Sequence, residues 1–198
     1  MKKLAILTLA VLAIFMQSCS SSKNLNVKEL VAQYTAEGYK TQSMAYSMTE
    51  SMTKFREKLQ SNKKFIEIIS DGSGASSFAA EMEALNAAGI KYATQAGSVI
   101  RGGMEREFGS LGNDYDKFHG TYVQNVAKFI MPMMRAEMTF VKKEQNTYHV
   151  RIGYIIDEEQ AKEARHNALN ETLKEQAAGQ VFGENARKFV DETVRPEE

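Results

Sequence analysis

Apolar residues recur at three- and four-residue steps along most of this chain and at two-residue steps in two adjacent runs. Val27, Leu30, Val31 and Tyr34 predict a short helix, and residues 36–42, which contain Gly38, a brief strand or turn. Met44, Met48, Met52, Phe55 and Leu59 then form one stripe, with Lys54, Glu57 and Lys58 opposite, which predicts a helix over 43–60. Residues 65–70 are rich in isoleucine and predict a strand, which Asp71-Gly72-Ser73-Gly74 is expected to break or loosen. Ser76 or Ser77 caps the longest helical pattern. There Phe78, Met82, Leu85, Gly89, Tyr92, Ala96 and Val99 alternate by four and three. Ala80, Ala84, Ala87, Ala88 and Ala93 lie beside them, where another element can approach closely. Gly102-Gly103 is the expected stop, followed by a frayed loop to residue 113.

Tyr115, Phe118, Tyr122, Val126 and Phe129 mark a further helix closed by Pro132. Met134, Ala136, Met138 and Phe140 alternate with polar residues, and so do Tyr148, Val150, Ile152, Tyr154 and Ile156 after a polar turn near Glu144-Gln145-Asn146. Two alternating runs around a short loop predict a hairpin with one buried face. Beyond it the helical period returns with Ala161, Ala164, Ala168, Leu169, Leu173 and Ala177. Past Gly179 a last stripe holds Phe182, Ala186, Phe189 and Val190. The sum is an α+β fold: a small antiparallel sheet of three or four strands with helices packed mainly on one face, in one domain over 26–198.

The amino-terminal stretch has another character. Lys2 and Lys3 precede an apolar run of about a dozen residues, too short for the roughly 20 that span a bilayer, and the run leads into Cys19, the single cysteine. This reads as an export signal over 1–18, with Cys19 lipidated and 19–25 as a small polar tether. An acylated Cys19 leaves no thiol for a disulfide, so packing alone must hold the domain. Formal charge is zero, which gives no general electrostatic grip on nucleic acid. The absence of tryptophan, the two prolines and the abundant alanine and methionine favour helices.

Candidate chemistry is sparse. Gly72-Ser73-Gly74 lies between a strand and a helix, as a phosphate loop would, but Ser77 stands where a dinucleotide fingerprint has its third glycine. The favoured reading is a strand-to-helix turn with glycines at positive φ. Met44, Met48 and Met52, and Met131, Met133, Met134 and Met138, could offer thioethers to Cu(I), but they occupy apolar helix and strand positions where gap-filling is expected. His119, His149 and His166 have no ligand spacing and read as surface residues. Ser98 and Ser110 lack nearby bases, and Glu158-Glu159 and Asp114/Asp116 read as helix-start acids. No catalytic, cofactor or metal residue is expected.

The Cys19 signal, the segment Glu37-Gly38-Tyr39-Lys40, the strand leading through Gly72 and Gly74 into the alanine-spaced helix, and the hairpin with Tyr148-His149-Val150-Arg151-Ile152 together resemble the LPP-twenty lipoprotein family, especially its Bacteroidetes versions. Met16-Gln17-Ser18-Cys19 departs from the common Leu-Ala-Gly-Cys form. The resemblance implies an outer-membrane lipoprotein without enzymatic activity, and it transfers no catalytic residue. Ser20 to Asn24 carries no acidic residue, which points to a periplasm-facing position. The expected function is therefore that of a non-enzymatic structural or assembly component of the outer membrane, held to lipid through acylated Cys19. An envelope protein is the expected partner, and nucleic acid is not one. A periplasmic binding module for a small ligand or metal is the alternative, and an envelope hydrolase a third.

Overall fold

The computed structural model describes residues 26–109, 111–176 and 179–196. The expected signal segment 1–18, the tether with Cys19, Ser110 and Ala177 lie outside them. Four strands, β1 (Lys40–Thr41), β2 (Phe65–Gly74), β3 (Arg135–Glu144) and β4 (Thr147–Asp157), form one sheet in the order β1-β3-β4-β2, antiparallel throughout. Among the described residues six helices accompany it: α1 (Val27–Ala36), α2 (Met48–Ser61), α3 (Ser77–Phe108), α4 (Asn113–Ile130), α5 (Glu158–Glu175) and α6 (Gly179–Val190). A 3-10 turn at Met131–Met133 joins α4 to β3 and contains Pro132, which cannot continue the helix. The expected α+β class and the β3–β4 hairpin are both present.

Each face of the sheet carries its own apolar cluster. Ile66, Ile68, Val150, Ile152, Tyr154 and Ile156 join the larger one, with α3 laid on the sheet and α4, α5 and α6 packed around it. Met138, Phe140 and Ile155 point the other way, into a smaller cluster with Leu30 and Tyr34 of α1 and Met52 and Phe55 of α2. Most helical mass therefore lies on one side, but the hairpin is buried on both faces. Gly153 makes room on the second: a Cβ there would stand 2.7 Å from Phe55 Cζ.

The contact of β2 with α3 sets the spacing of the larger layer. The strand does not stop at Ser70; it stays paired with β4 as far as Gly74, opposite Tyr148. Neither Gly72 nor Gly74 has positive φ, so they are not turn glycines. A Cβ on Gly72 would lie 2.1 Å from the Ala80 carbonyl oxygen and 2.5 Å from the Ala84 nitrogen. The strand and helix backbones touch, and any side chain would separate them. Ser70 Oγ donates to the Ala84 carbonyl at 2.7 Å, and Ser73 N–H donates to Glu83 Oε2 at 2.7 Å.

This contact also corrects the expected face of α3. The alanines Ala80, Ala84 and Ala88 are the buried line, whereas Phe78 is 70% and Met82 50% exposed. Further along the helix Tyr92 and Ala96 are buried as expected, while Ile100 is buried and Val99, expected in the stripe, only partly so. An i, i+4 row precesses by about 40° per step on a 3.6-residue helix, so different rows face the sheet and the helical layer. The helix also runs past Gly102-Gly103, which were expected to stop it, because Gly103 lies against the Phe189 ring of α6. It ends at Gly109, with φ of 75°. Ser76 caps its start, as the sequence indicates, accepting from Ala79 N–H at 3.1 Å. The second helix starts at Met48 on a Ser47–Glu50 capping box, later than residue 43, which leaves Met44 fully exposed.

Gly72→Val should lower the stability of the fold by about 3 kcal/mol, because it overpacks a backbone contact. Gly102→Ala, where an added Cβ meets nothing within 4 Å, should raise it by about 0.5–1 kcal/mol through helix propensity. Denaturant midpoints of the two variants against the parent measure both.

Candidate binding clefts

Three features gather polar groups outside the ordinary helix caps. The first is a cleft of about 510 Å³ between α2, β3 and the loop joining β1 to α2. Phe55, Ala136 and Met138 supply its apolar lining, and Gln42, Ser43, Tyr46, Ser51, Lys54 and Thr139 its polar groups. Local structure places these residues in a definite way. A bulge between Ala136 and Met138 takes Glu137 out of the ladder, and Glu137 ion-pairs with Lys58 across the cleft. Gln42 ties the loop down, its N–H donating to the Thr139 carbonyl at 3.2 Å and its side chain to Glu81 Oε1 at 2.8 Å. Lys54 Nζ stands 3.3 Å from the centre of the Tyr46 ring and makes no ion pair among the described residues. Its lining holds no histidine, and its one carboxylate is already paired, so the cleft offers surfaces and a cation for binding but no acid–base couple.

The second feature is Arg151, on the second face of the sheet. Its guanidinium takes both oxygens of Asp71 at 2.7 and 2.9 Å and Glu37 Oε2 at 3.3 Å. It lies 4.6 Å from the ring centre of Tyr34 and 5.2 Å from that of Tyr39. Every edge of this cation is engaged, so it straps the end of α1 to the sheet and is not open to a ligand.

The third is Arg165, whose side chain is 1% exposed inside the helical layer. Nε donates to the Val190 carbonyl at 2.9 Å, Nη1 to the Tyr92 hydroxyl, and Nη2 to Glu158 Oε1 at 3.1 Å. One guanidinium thus joins α3, α5 and the carboxyl end of α6, where the helix dipole favours a cation. Tyr115 and Tyr122 are buried in the same layer, their hydroxyls without a hydrogen-bond partner among the described residues. Burial pushes the phenols of Tyr92 and Tyr115 up to about 12, and that of Tyr122 higher still.

The residues singled out by sequence are dispersed. Gly72 and Gly74 are structural, as described above. Met52 and Met138 are buried in the smaller cluster, Met131 packs on Gly89, and Met44 is in solvent, so the methionines form no common site. His149 lies 3.8 Å from Glu144, and His166 Nε2 2.7 Å from Asp191 Oδ1. His119 is a correction to the surface reading: it is half-buried beside Gly97 between α3 and α4, and burial lowers its pKa. Glu159 caps no chemistry and pairs with Lys64, while Glu158 belongs to the Arg165 network. Among the described residues no three His, Cys, Asp or Glu side chains gather as a metal ion requires, and no helix is long and apolar enough to cross a membrane. The signal for Arg165 was present in the sequence, as an arginine on the alanine face of a helix, where a cation has to find internal partners. Comparisons with family models, with curated proteins and with solved structures gave no match.

Arg165→Met should cost about 3–5 kcal/mol, since it leaves Glu158 half-buried without its cation, and adding Glu158→Gln should recover part of that loss in the same denaturant assay. Folded-state phenol pKa values near 12 stand above the ordinary 10.0. Their stabilisation is therefore complete below pH 10 and is lost as pH rises from 10 towards 12. A pH series of melting curves should steepen downward in that window, and Tyr92→Phe should flatten it.

Proposed function

We propose that this chain is a lipoprotein held in the outer membrane by acyl chains on Cys19, and that its folded domain works by binding other envelope components. The observation that carries the reading is the sequence around Cys19: a dibasic start, a short apolar run, and the chain's single cysteine, followed by a small polar segment. The order of elements that resembles LPP-twenty lipoproteins supports it as well. Two or more acyl chains anchor a protein stably where one does so marginally. The segment after Cys19 is free of acidic residues, which supports a periplasm-facing orientation.

A structural or assembly role is the leading form of this reading. The cleft beside α2 favours a second form, a module that takes a small ligand, because polar groups converge there over an apolar floor of the kind ligand sites have. The exposed ammonium of Lys54 selects ligands with an anionic group.

Cys19→Ala, expressed in a lipidating host, should leave the membrane fraction, and the parent should carry added acyl mass at Cys19. Parent protein without that mass, or a variant still bound to membrane, overturns the reading. A cleft ligand at a hundred times its dissociation constant should stabilise the domain by about 2.7 kcal/mol in thermal melts. Lys54→Glu should remove that stabilisation.

A further inference from the structure

We propose that a basic groove on the other flank of α2 seats the domain on the anionic phospholipid surface to which the chain is tethered, an inference that rests on the lipid anchor at Cys19. The groove, of about 470 Å³, is lined by Arg56, Leu59, Gln60, Lys63, Phe65 and Arg195, together with Glu67. Arg56 is paired with Glu67 at 3.3 Å, but Lys63 and Arg195 make no ion pair among the described residues. Arg195 is held in place by donating to the Lys63 carbonyl at 3.1 Å, which uses one of the five donors a guanidinium has. Exposed Arg135 stands beside them, 5.9 Å from the Phe65 ring centre. Leu59 and Phe65 provide an apolar base under this cationic rim, a layering that matches the headgroup zone of a bilayer.

Charge distribution and chain length both select this face. The groove lining with Arg135 beside it holds Arg56, Lys63, Arg135 and Arg195 against Glu67, so 4 − 1 gives +3 in a chain whose total is zero. The first described residue is Asn26, the cap of α1, and Val27 packs in the same apolar cluster as Leu59 and Phe65. Asn26, where the described residues begin, therefore lies on the side of the sheet that carries the groove. From Cys19 to Asn26 the chain can extend about 25 Å at most, so an acylated Cys19 keeps this face close to the membrane. Acyl chains together with a basic surface form the two-signal combination that makes anchoring stable.

The test uses full-length protein from a lipidating host, with Gln60→Cys carrying an environment-sensitive fluorophore. With Cys19 acylated, one label attaches per chain. On phosphatidylcholine vesicles containing phosphatidylglycerol the emission should shift to the blue and return in high salt, whereas on pure phosphatidylcholine it should not shift. Lys63→Ala combined with Arg195→Ala should raise the phosphatidylglycerol content needed for the half-maximal shift, its effect on binding being about 5-fold per cation and about 25-fold in all. Charge reversal at exposed Lys63 alone is the second variant if the double one folds poorly. An equal shift on neutral vesicles, indifference to these substitutions, or the same shift with inorganic phosphate and no vesicles overturns the proposal. Failure of the anchor is read separately, as two labels per chain and no flotation with neutral vesicles.

Discussion

The close approach of α3 to β2 is the constraint on which the larger layer depends. With Gly72 on the strand and Ala80 and Ala84 on the helix, backbones come within van der Waals contact, and Ser70 and Glu83 add hydrogen bonds on either side. An interface of small residues brings little apolar area, so its stabilisation comes from dense contact and from what it positions. It lays the first half of a 32-residue helix on the sheet. The second half, extending beyond the sheet at about 1.5 Å per residue, becomes the support for α4 and α6, and α5 packs on those two.

Arg165 locks that overhanging half. A helical layer lined by alanines and tyrosines could settle in several registers, because small residues specify rotation weakly. A buried guanidinium that must satisfy the Val190 carbonyl, Tyr92 and Glu158 at once accepts only one arrangement of three helices. Its value to the fold lies in that geometry more than in net energy, since removing a cation from water costs about what its partners return. The opposite face solves the same problem at the surface, where Arg151, stacked on Tyr34 and Tyr39 and paired with Asp71 and Glu37, fixes α1 to the sheet.

The smaller face is left partly open. Helices α1 and α2 cover the sheet incompletely, so clefts remain on both flanks of α2, one around Tyr46 and Lys54 and one around Lys63 and Arg195. Both are cationic and shallow, and among the described residues both lack paired catalytic groups. Such surfaces suit recognition of anionic partners, and they lie on the same side of the sheet as the start of α1. With Cys19 acylated as proposed, anchor and basic face together would present the domain to the membrane in one orientation.

Period and residue type decided much of this in the sequence alone. The alternating runs of β3 and β4 could only be a hairpin, and the Ser76 cap and the stripes of α4 and α5 stand where the spacing puts them. The proposed lipidation of Cys19 rests on the sequence alone, because a lipid signal is local. Tertiary structure alone decided three things. It made Gly72 and Gly74 contact residues instead of turn residues, since a glycine's purpose depends on what approaches it. It turned the alanine face of α3 inward and left Phe78 and Met82 outside, because fit to a flat sheet outweighed hydrophobicity. And it brought Arg165 to Tyr92 and Val190, and separately Lys63 to Arg195, from segments far apart in the chain; no spacing rule links residues whose only relation is where the helices end up.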